Sequence, residues 1–312
     1  MNKRSPLKII FMGTPDFAVP SLQLLDESPH KIQAVVTVPD KPQGRGRSVR
    51  LSAVKDAAIK LELPVIQPQS LDDIGFIEEL TAYQPDVIVV VAFQILPKEV
   101  FLIPKFGAFN LHASLLPKYR GAAPIHWALL NGDTETGVST FFLKSRVDTG
   151  NIISQKKIPI APEDNLQSLY EKLSVLGAKL VMQTVDQIAE GVADAIEQDD
   201  TFATPAPKVT TETQLLDFKE DCTLCHNRVR AFSPKPGAYT YKNGVRLKIL
   251  RTEVSKIQGE PGLVTWVSPQ SFAIGCGKGS LIVQTVQPES KKAMQAVAYM
   301  LGNPVRVGDH FG

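Results

Sequence analysis

The sequence predicts an α/β domain on a mostly parallel sheet, followed by a smaller antiparallel β-barrel domain. Three observations carry that reading. Consecutive apolar runs alternate with helical patterns through the first part of the chain. A long amphipathic helix and then a Pro-punctuated stretch interrupt this alternation. Beyond them, short strand patterns follow one another with turn signals between. At 312 residues the chain is longer than one typical domain, which agrees with two.

The elements follow in order. LKIIFMG (7–13), IQAVVTV (32–38), PDVIVVVA (85–92) and FGAFNLH (106–112) put Val, Ile and Phe on consecutive positions, as strands buried on both faces require. Between them VPSLQLLDE, SAVKDAAIKLE and DDIGFIEELTAY repeat apolar residues every three or four positions and predict helices. Such alternation implies right-handed crossovers and a parallel sheet. TGVSTFFL (136–143) and NIISQKKIPI (151–160) are two more strands, and residues 165–191 form the long helix. Residues 192–207 are acidic and then Pro-punctuated, and read as a linker or extended strap. A helix is expected at about 212–231, with Leu215, Leu216, Leu224, Val229 and Phe232 as core positions. GAYTY, VRLKILRTEV, GLVTWV, FAIGCG and SLIVQTV then predict the barrel. The expected domains are 1–191, a linker at 192–207, and 208–312.

Composition narrows the function. No stretch is apolar enough for a signal h-region or a membrane span, and three cysteines do not make a disulfide framework, so a soluble cytoplasmic protein is expected. Net charge is +2, but residues 208–312 hold 14 Lys+Arg against 8 Asp+Glu, which is +6 and leaves −4 for the first part. A basic barrel suits an anionic macromolecule or is a solvated lysine-rich surface.

Four motifs are candidates for chemistry. FMGTPDF (11–17) ends a strand without G-x-G-x-x-G, so a pocket-lining turn is favoured over a dinucleotide site. VPDKPQGRGRSVR (38–50) carries Lys41, Arg45, Arg47 and Arg50 on a Gly/Pro-rich loop whose only nearby acid is Asp40; a phosphate clamp that orders on binding is favoured over a solubilising loop. CTLCH (222–226) matches the c-type haem pattern, yet it lies on a helical pattern and lacks further zinc ligands at suitable spacing, so neither haem nor metal is expected. In NLHASLLPKYRGAAP (110–124), Asn110 and His112 share one face of a strand end. Asp148 stands before a Thr-Gly turn in RVDTGNI. An amide, an imidazole and a carboxylate are parts for acyl transfer; with no G-x-S-x-G elbow, direct attack by a substrate amine is expected.

Asn110-x-His112-x-Ser114-Leu115-Leu116-Pro117-x-x-Arg120-Gly121, with Asp148-Thr149-Gly150 downstream, resembles the folate-dependent formyltransferases over nearly the full length. The resemblance implies a Rossmann-like formyltransferase domain and an OB-like barrel. It implies 10-formyltetrahydrofolate as co-substrate and no metal. The acceptor implied is the α-amine of methionine on initiator tRNA, with a small amine such as glycinamide ribonucleotide or an amino-sugar nucleotide as the alternative. Asn110, His112 and Asp148 take the catalytic positions. Ser114, Leu115, Leu116, Pro117, Phe93, Ile95 and Leu96 line the folate, and the basic loop and barrel meet tRNA. A monomer with no membrane partner is expected. One departure is visible: Ala92-Phe93-Gln94-Ile95-Leu96-Pro97 lacks the family's Tyr-Gly pair and is one residue shorter.

Overall fold

The computed structural model describes residues 6–43 and 48–312. In chain order the elements are β1 (Lys8–Gly13), α1 (Val19–Asp26), β2 (Lys31–Val36), β3 (Lys41–Gln43), β4 (Ser48–Arg50), α2 (Ala53–Lys60), β5 (Val65–Ile66), α3 (Ile74–Ala82), β6 (Val87–Val91), α4 (Lys98–Phe101), β7 (Ala108–His112), α5 (Pro124–Leu130), β8 (Glu135–Phe142), β9 (Ile152–Pro159) and α6 (Leu166–Glu190). There follow α7 (Cys222–Phe232), β10 (Ala238–Lys242), β11 (Val245–Ser255), β12 (Val264–Val267), β13 (Phe272–Gly275), β14 (Ser280–Pro288), β15 (Met294–Gln295) and α8 (Ala296–Gly302). Two compact units result: residues 1–121, 136–158 and 170–205 form the first, and 122–135, 159–169 and 206–312 the second.

The first unit holds a seven-stranded sheet in the order β5-β2-β1-β6-β7-β8-β9. β2, β1, β6 and β7 run parallel, and β8 reverses against β7 with His112 opposite Ser139. All five residues of β6 are buried, as its unbroken VIVVV run requires. Side chains alternate between two faces. Ile10, Met12, Val36, Ile88, Val90 and Ala108 pack with Phe76, Leu80, Val100 and Phe101 of α3 and α4. On the other face, Leu111 comes so near Gly177 of α6 that a Cβ there would lie 2.5 Å from Leu111 Cδ2. Side chains cap two of these helices: Ser52 accepts from Lys55 N–H and Asp73 from Phe76 N–H. The two-residue β5 and the four-residue α4 are too short for a periodic signal. The basic loop departs from a plain loop, because its ends pair as β3 and β4 with Lys41 opposite Arg50. Nor does the stretch after α6 run free, since Ile196 pairs with Ile152 and Pro205 with Arg120.

The second unit is an antiparallel sheet in the order β10-β11-β14-β13-β12, with β15 on β14. Residues 308–312 connect its outer strands. Val264 N–H donates to Asp309 O and Phe311 N–H to Gly262 O, while Gly312 N–H donates to Tyr241 O on β10. The buried Phe311 stacks on Phe272 beneath that seam. The helix expected at 212–231 is shorter, because Leu216 N–H donates to Tyr239 O and holds the preceding chain extended. Asp221 then caps α7 by accepting from Thr223 N–H. Cys222, Cys225, Val229 and Phe232 form its buried stripe; Leu215 and Leu224 are exposed, and Leu216 is buried. Cys222 and Cys225 of CTLCH are buried free thiols on the inner side of α7.

His126 on α5 lies against Phe232, 5.5 Å between ring centroids. Burial pushes its pKa down to about 4. His226 is likewise held at about 4, by burial first and then by Arg230. Both values lie below the ordinary histidine value of roughly 6.5, so the unfolded chain takes up these protons first. Stability therefore falls as pH drops below about 6.5 and continues to fall toward 4. Urea unfolding is expected to show a lower midpoint at pH 5 than at pH 7, and His126→Phe is expected to shrink that difference.

Candidate active site

β7 emerges from the core between β6 and β8, and its end carries the polar pair. Asn110 sits opposite Val90 on one side and Phe141 on the other. It shares the face of Ala108, two residues back, and His112 follows on that face. Asn110 is half-buried and His112 buried. The interior of the strand is apolar; the two polar side chains come only where it ends, which limits their desolvation cost.

His112 is engaged at both nitrogens. Nε2 donates to Tyr119 O at 2.8 Å, and Nδ1 faces Asp148 Oδ2 at 3.8 Å. A carbonyl can only accept, so Nε2 carries the proton in this arrangement. Nδ1 is then the nitrogen left for chemistry. It is a bare acceptor in the neutral ring and a donor toward Asp148 in the charged one. Asp148 is itself oriented: Oδ2 accepts from Gly121 N–H at 2.9 Å. Its backbone lies in the left-handed region at φ 52°, unusual for a non-glycine. Two residues on, Gly150 is pressed against β8, and a Cβ there would fall 1.5 Å from Phe142 O. The three expected catalytic residues thus come together, and the Tyr119 carbonyl and the Gly121 amide join them. Neither could be read from side-chain types, because both act through the backbone.

The apolar candidates divide into two groups. Leu96 belongs to the core cluster on the Asn110 face, and Phe93 packs against it. Ile95 is 75% exposed. Ala92, at φ 47°, turns the chain out of β6 where the shortened segment begins. Ser114–Pro117 lies instead toward β8 and β9. Leu116 N–H donates to Ser139 Oγ, Ser139 Oγ to Ser114 O, and Gln155 Nε2 to Leu116 O. Ser114 and Leu116 are buried, and Leu115 and Pro117 partly so. In the sheet order, β7 with Asn110 and His112 stands between these groups. At the end of β1 the buried Thr14 hydroxyl lacks a hydrogen-bond partner. An apolar surface with an orphan polar edge fits a flat ring system carrying heteroatoms.

Of the expected tRNA contacts, Arg45 and Arg47 lie outside the described residues, and Lys41 and Arg50 stand at the root of the β3–β4 pair. Asp40, the one acid near these cations in sequence, is already engaged: Lys55 Nζ meets its Oδ2 at 2.5 Å, and Gln67 donates to Oδ1. The Lys55 bond leads the effects that hold the Asp40 carboxyl below its usual range. Among the described residues no helix is long and apolar enough to cross a membrane.

A formyl transferase family model matches residues 7–185, and a model of the formyl transferase C-terminal domain matches residues 208–304. The methionyl-tRNA formyltransferase of Moorella thermoacetica is 44% identical over 310 residues, 98% of this chain and 99% of that protein. Its counterpart in Geobacter sulfurreducens is 42% identical over 307 residues, 98% and 97% of the two chains. Among solved structures, the N-formyltransferase from Helicobacter canadensis, in complex with folinic acid and dTDP-3-aminofucose, aligns with TM-score 0.69 at 22% identity over 89% of this chain and 99% of its own. HypX from Aquifex aeolicus with tetrahydrofolic acid aligns at 0.65 and 18% identity over 96% of this chain and 48% of its own. These two likenesses concern the fold. With both domain models matched and full-length relatives above 40% identity, this chain belongs to the methionyl-tRNA formyltransferase family.

Proposed function

We propose that the chain moves the formyl group of 10-formyltetrahydrofolate to the α-amino group of methionine on initiator tRNA, as a cytoplasmic monomer. One observation carries the reading: Asn110, His112 and Asp148 converge at the end of one strand, in a chain whose full-length relatives are methionyl-tRNA formyltransferases. Residues 1–191 form the catalytic domain, 192–207 the connection, and 208–312 the tRNA-binding domain. The folate donor supplies the formyl carbon at its reactive oxidation level. Phe93, Ile95 and Leu96 flank it on one side and Ser114, Leu115, Leu116 and Pro117 on the other. Thr14 offers the unused hydroxyl.

The acceptor amine attacks uncharged, and negative charge then builds on the formyl oxygen. Fixed donors aimed at that oxygen lower the barrier, because they need no reorganisation as the charge appears. Asn110 donates through its amide. His112, with Nε2 committed to Tyr119 O, serves through Nδ1 when charged. Asp148 faces the same nitrogen at 3.8 Å. It also takes the amine's proton, directly or through a water, and returns it toward the departing folate nitrogen. Lys41, Arg45, Arg47 and Arg50 meet tRNA phosphates, and the basic second domain adds affinity.

Asn110→Ala, His112→Ala and Asp148→Ala are each expected to lower single-turnover transfer by roughly 10²–10³ while changing the binding of either substrate little. The His112/Asp148 double variant should lose less than the product of the single losses. A His112→Ala protein with near wild-type rate at saturating substrates overturns the mechanism. Methionyl initiator tRNA, free methionine and glycinamide ribonucleotide compared as acceptors decide the substrate; transfer to tRNA alone is expected.

Arg45→Ala is expected to weaken transfer to tRNA and leave folate binding intact; equal loss of both would place the loop in the folate cleft. Lys256, Lys291 and Lys292 are exposed in the second unit. Replacing all three with Gln should flatten the dependence of log K on log salt by up to about 0.9 for each phosphate no longer neutralised. An unchanged slope measured by filter binding would remove these lysines from the interface.

A further inference from the structure

We propose that Gln198 is a positioning residue of the formyl-transfer centre, holding the Asp148 turn so that its carboxylate faces His112. The proposal rests on the reading of Asn110, His112 and Asp148 given above. Gln198 lies in the stretch after α6, where the sequence shows no periodicity. Ile196 anchors that stretch by exchanging backbone hydrogen bonds with Ile152, at 2.7 and 2.8 Å. Two residues later the Gln198 side chain turns inward and is 8% exposed.

Its amide is fully used. Nε2 donates to Asp148 O at 2.9 Å and to Gly150 O at 2.8 Å. Oε1 accepts from Arg120 Nε at 3.1 Å and from Nη2 at 2.8 Å. One side chain therefore ties together two turns. The first carries Asp148. The second carries the Tyr119 carbonyl, which accepts from His112, and the Gly121 N–H, which donates to Asp148. Thr204 supports the second turn through its carbonyl to Arg120 N–H and its hydroxyl to Tyr119 N–H.

The Asp148 turn needs such a hold. A left-handed non-glycine backbone is strained and persists only where its surroundings enforce it. Gln198 binds the carbonyl of that residue and the carbonyl two residues on, and so fixes the peptide planes through which the turn would relax. The gap from His112 Nδ1 to Asp148 Oδ2 is 3.8 Å, so a small shift changes how strongly the pair interacts. A misplacement of about 1 Å at a reacting centre can cost about 10²-fold in rate.

Two substitutions separate positioning from filling. Gln198→Glu keeps the size and the Arg120 contact but sets an acceptor oxygen against the Asp148 and Gly150 carbonyls. Gln198→Leu keeps bulk without hydrogen bonds. Both are assayed with methionyl initiator tRNA and the folate donor, beside His112→Ala and Asp148→Asn, with thermal melting of each full-length protein. The expected result is a kcat lower by about 10- to 100-fold for both Gln198 variants, KM for either substrate within about threefold, and a displaced acid limb of the kcat–pH profile, in proteins that stay folded. Wild-type kcat and pH profile in Gln198→Glu, while His112→Ala and Asp148→Asn collapse, would sink the positioning role alone. Wild-type rate in His112→Ala would instead sink the reading beneath it. Should Gln198→Glu melt below the assay temperature, Gln198→Leu carries the test. Unfolding of both, or a loss confined to KM, would overturn the proposal.

Discussion

The reversal of β8 against β7 sets the demand that the surrounding structure answers. Phe142 ends β8 opposite Phe109, near the start of β7, whereas His112 lies at the far end of that strand. Three residues of extended chain separate the two levels, roughly 10 Å. The segment after Phe142 must therefore return along the sheet before a carboxylate can meet the imidazole. It does so over residues 143–151, and Leu143 joins the apolar cluster on the Asn110 face as it passes. The tight seat of Gly150, the left-handed Asp148 and the supporting strap are local answers to that path. A carboxylate delivered by a loop is held by many weak bonds, whereas Asn110 and His112 are held by the sheet.

How far the sequence reveals this depends on what each residue signals. β6 and β7 are legible because strands buried on both faces must be continuously apolar, so Asn110 and His112 interrupt the pattern at the strand end. Asp148 is legible from its Thr-Gly turn. Gln198 is not: a neutral amide in an acidic, irregular stretch carries no pattern. Its partner does offer a signal. Arg120, inside the Pro-Lys-Tyr-Arg-Gly turn, needs an acceptor if buried, and its side chain is 11% exposed. The expected Leu215 and Leu224 core positions failed for a related reason. A hydrogen bond from Leu216 to Tyr239 displaced the helix start, and small cysteines took the inner stripe. Hydropathy weighs leucine above cysteine, but packing weighs position.

Chemistry and architecture do not follow one boundary. The chain passes between compact units after residues 121, 135, 158, 169 and 205, so a single cut cannot separate them. Asn110, His112, Asp148 and their supports all belong to the first unit. The residues just after Gly121, by contrast, run into α5, which packs in the second through His126 and Phe232. Within that unit Asn227 Nδ2 would lie 2.6 Å from a Cβ on Gly132, at a φ of 71° that also suits glycine. The turn beyond α5 is thus fitted to α7 by shape, where β7 and β8 are fitted by hydrogen-bonded register.

The seam at residues 308–312 has a separate consequence. It occupies β12 along one side and reaches β10 with its last amide. An uncovered strand edge offers unpaired N–H and C=O groups to any other chain. Removing five residues would bare the free side of β12 and the Tyr241 carbonyl of β10 and would unseat Phe311 from Phe272, leaving unpaired strand groups open to a second copy of the protein.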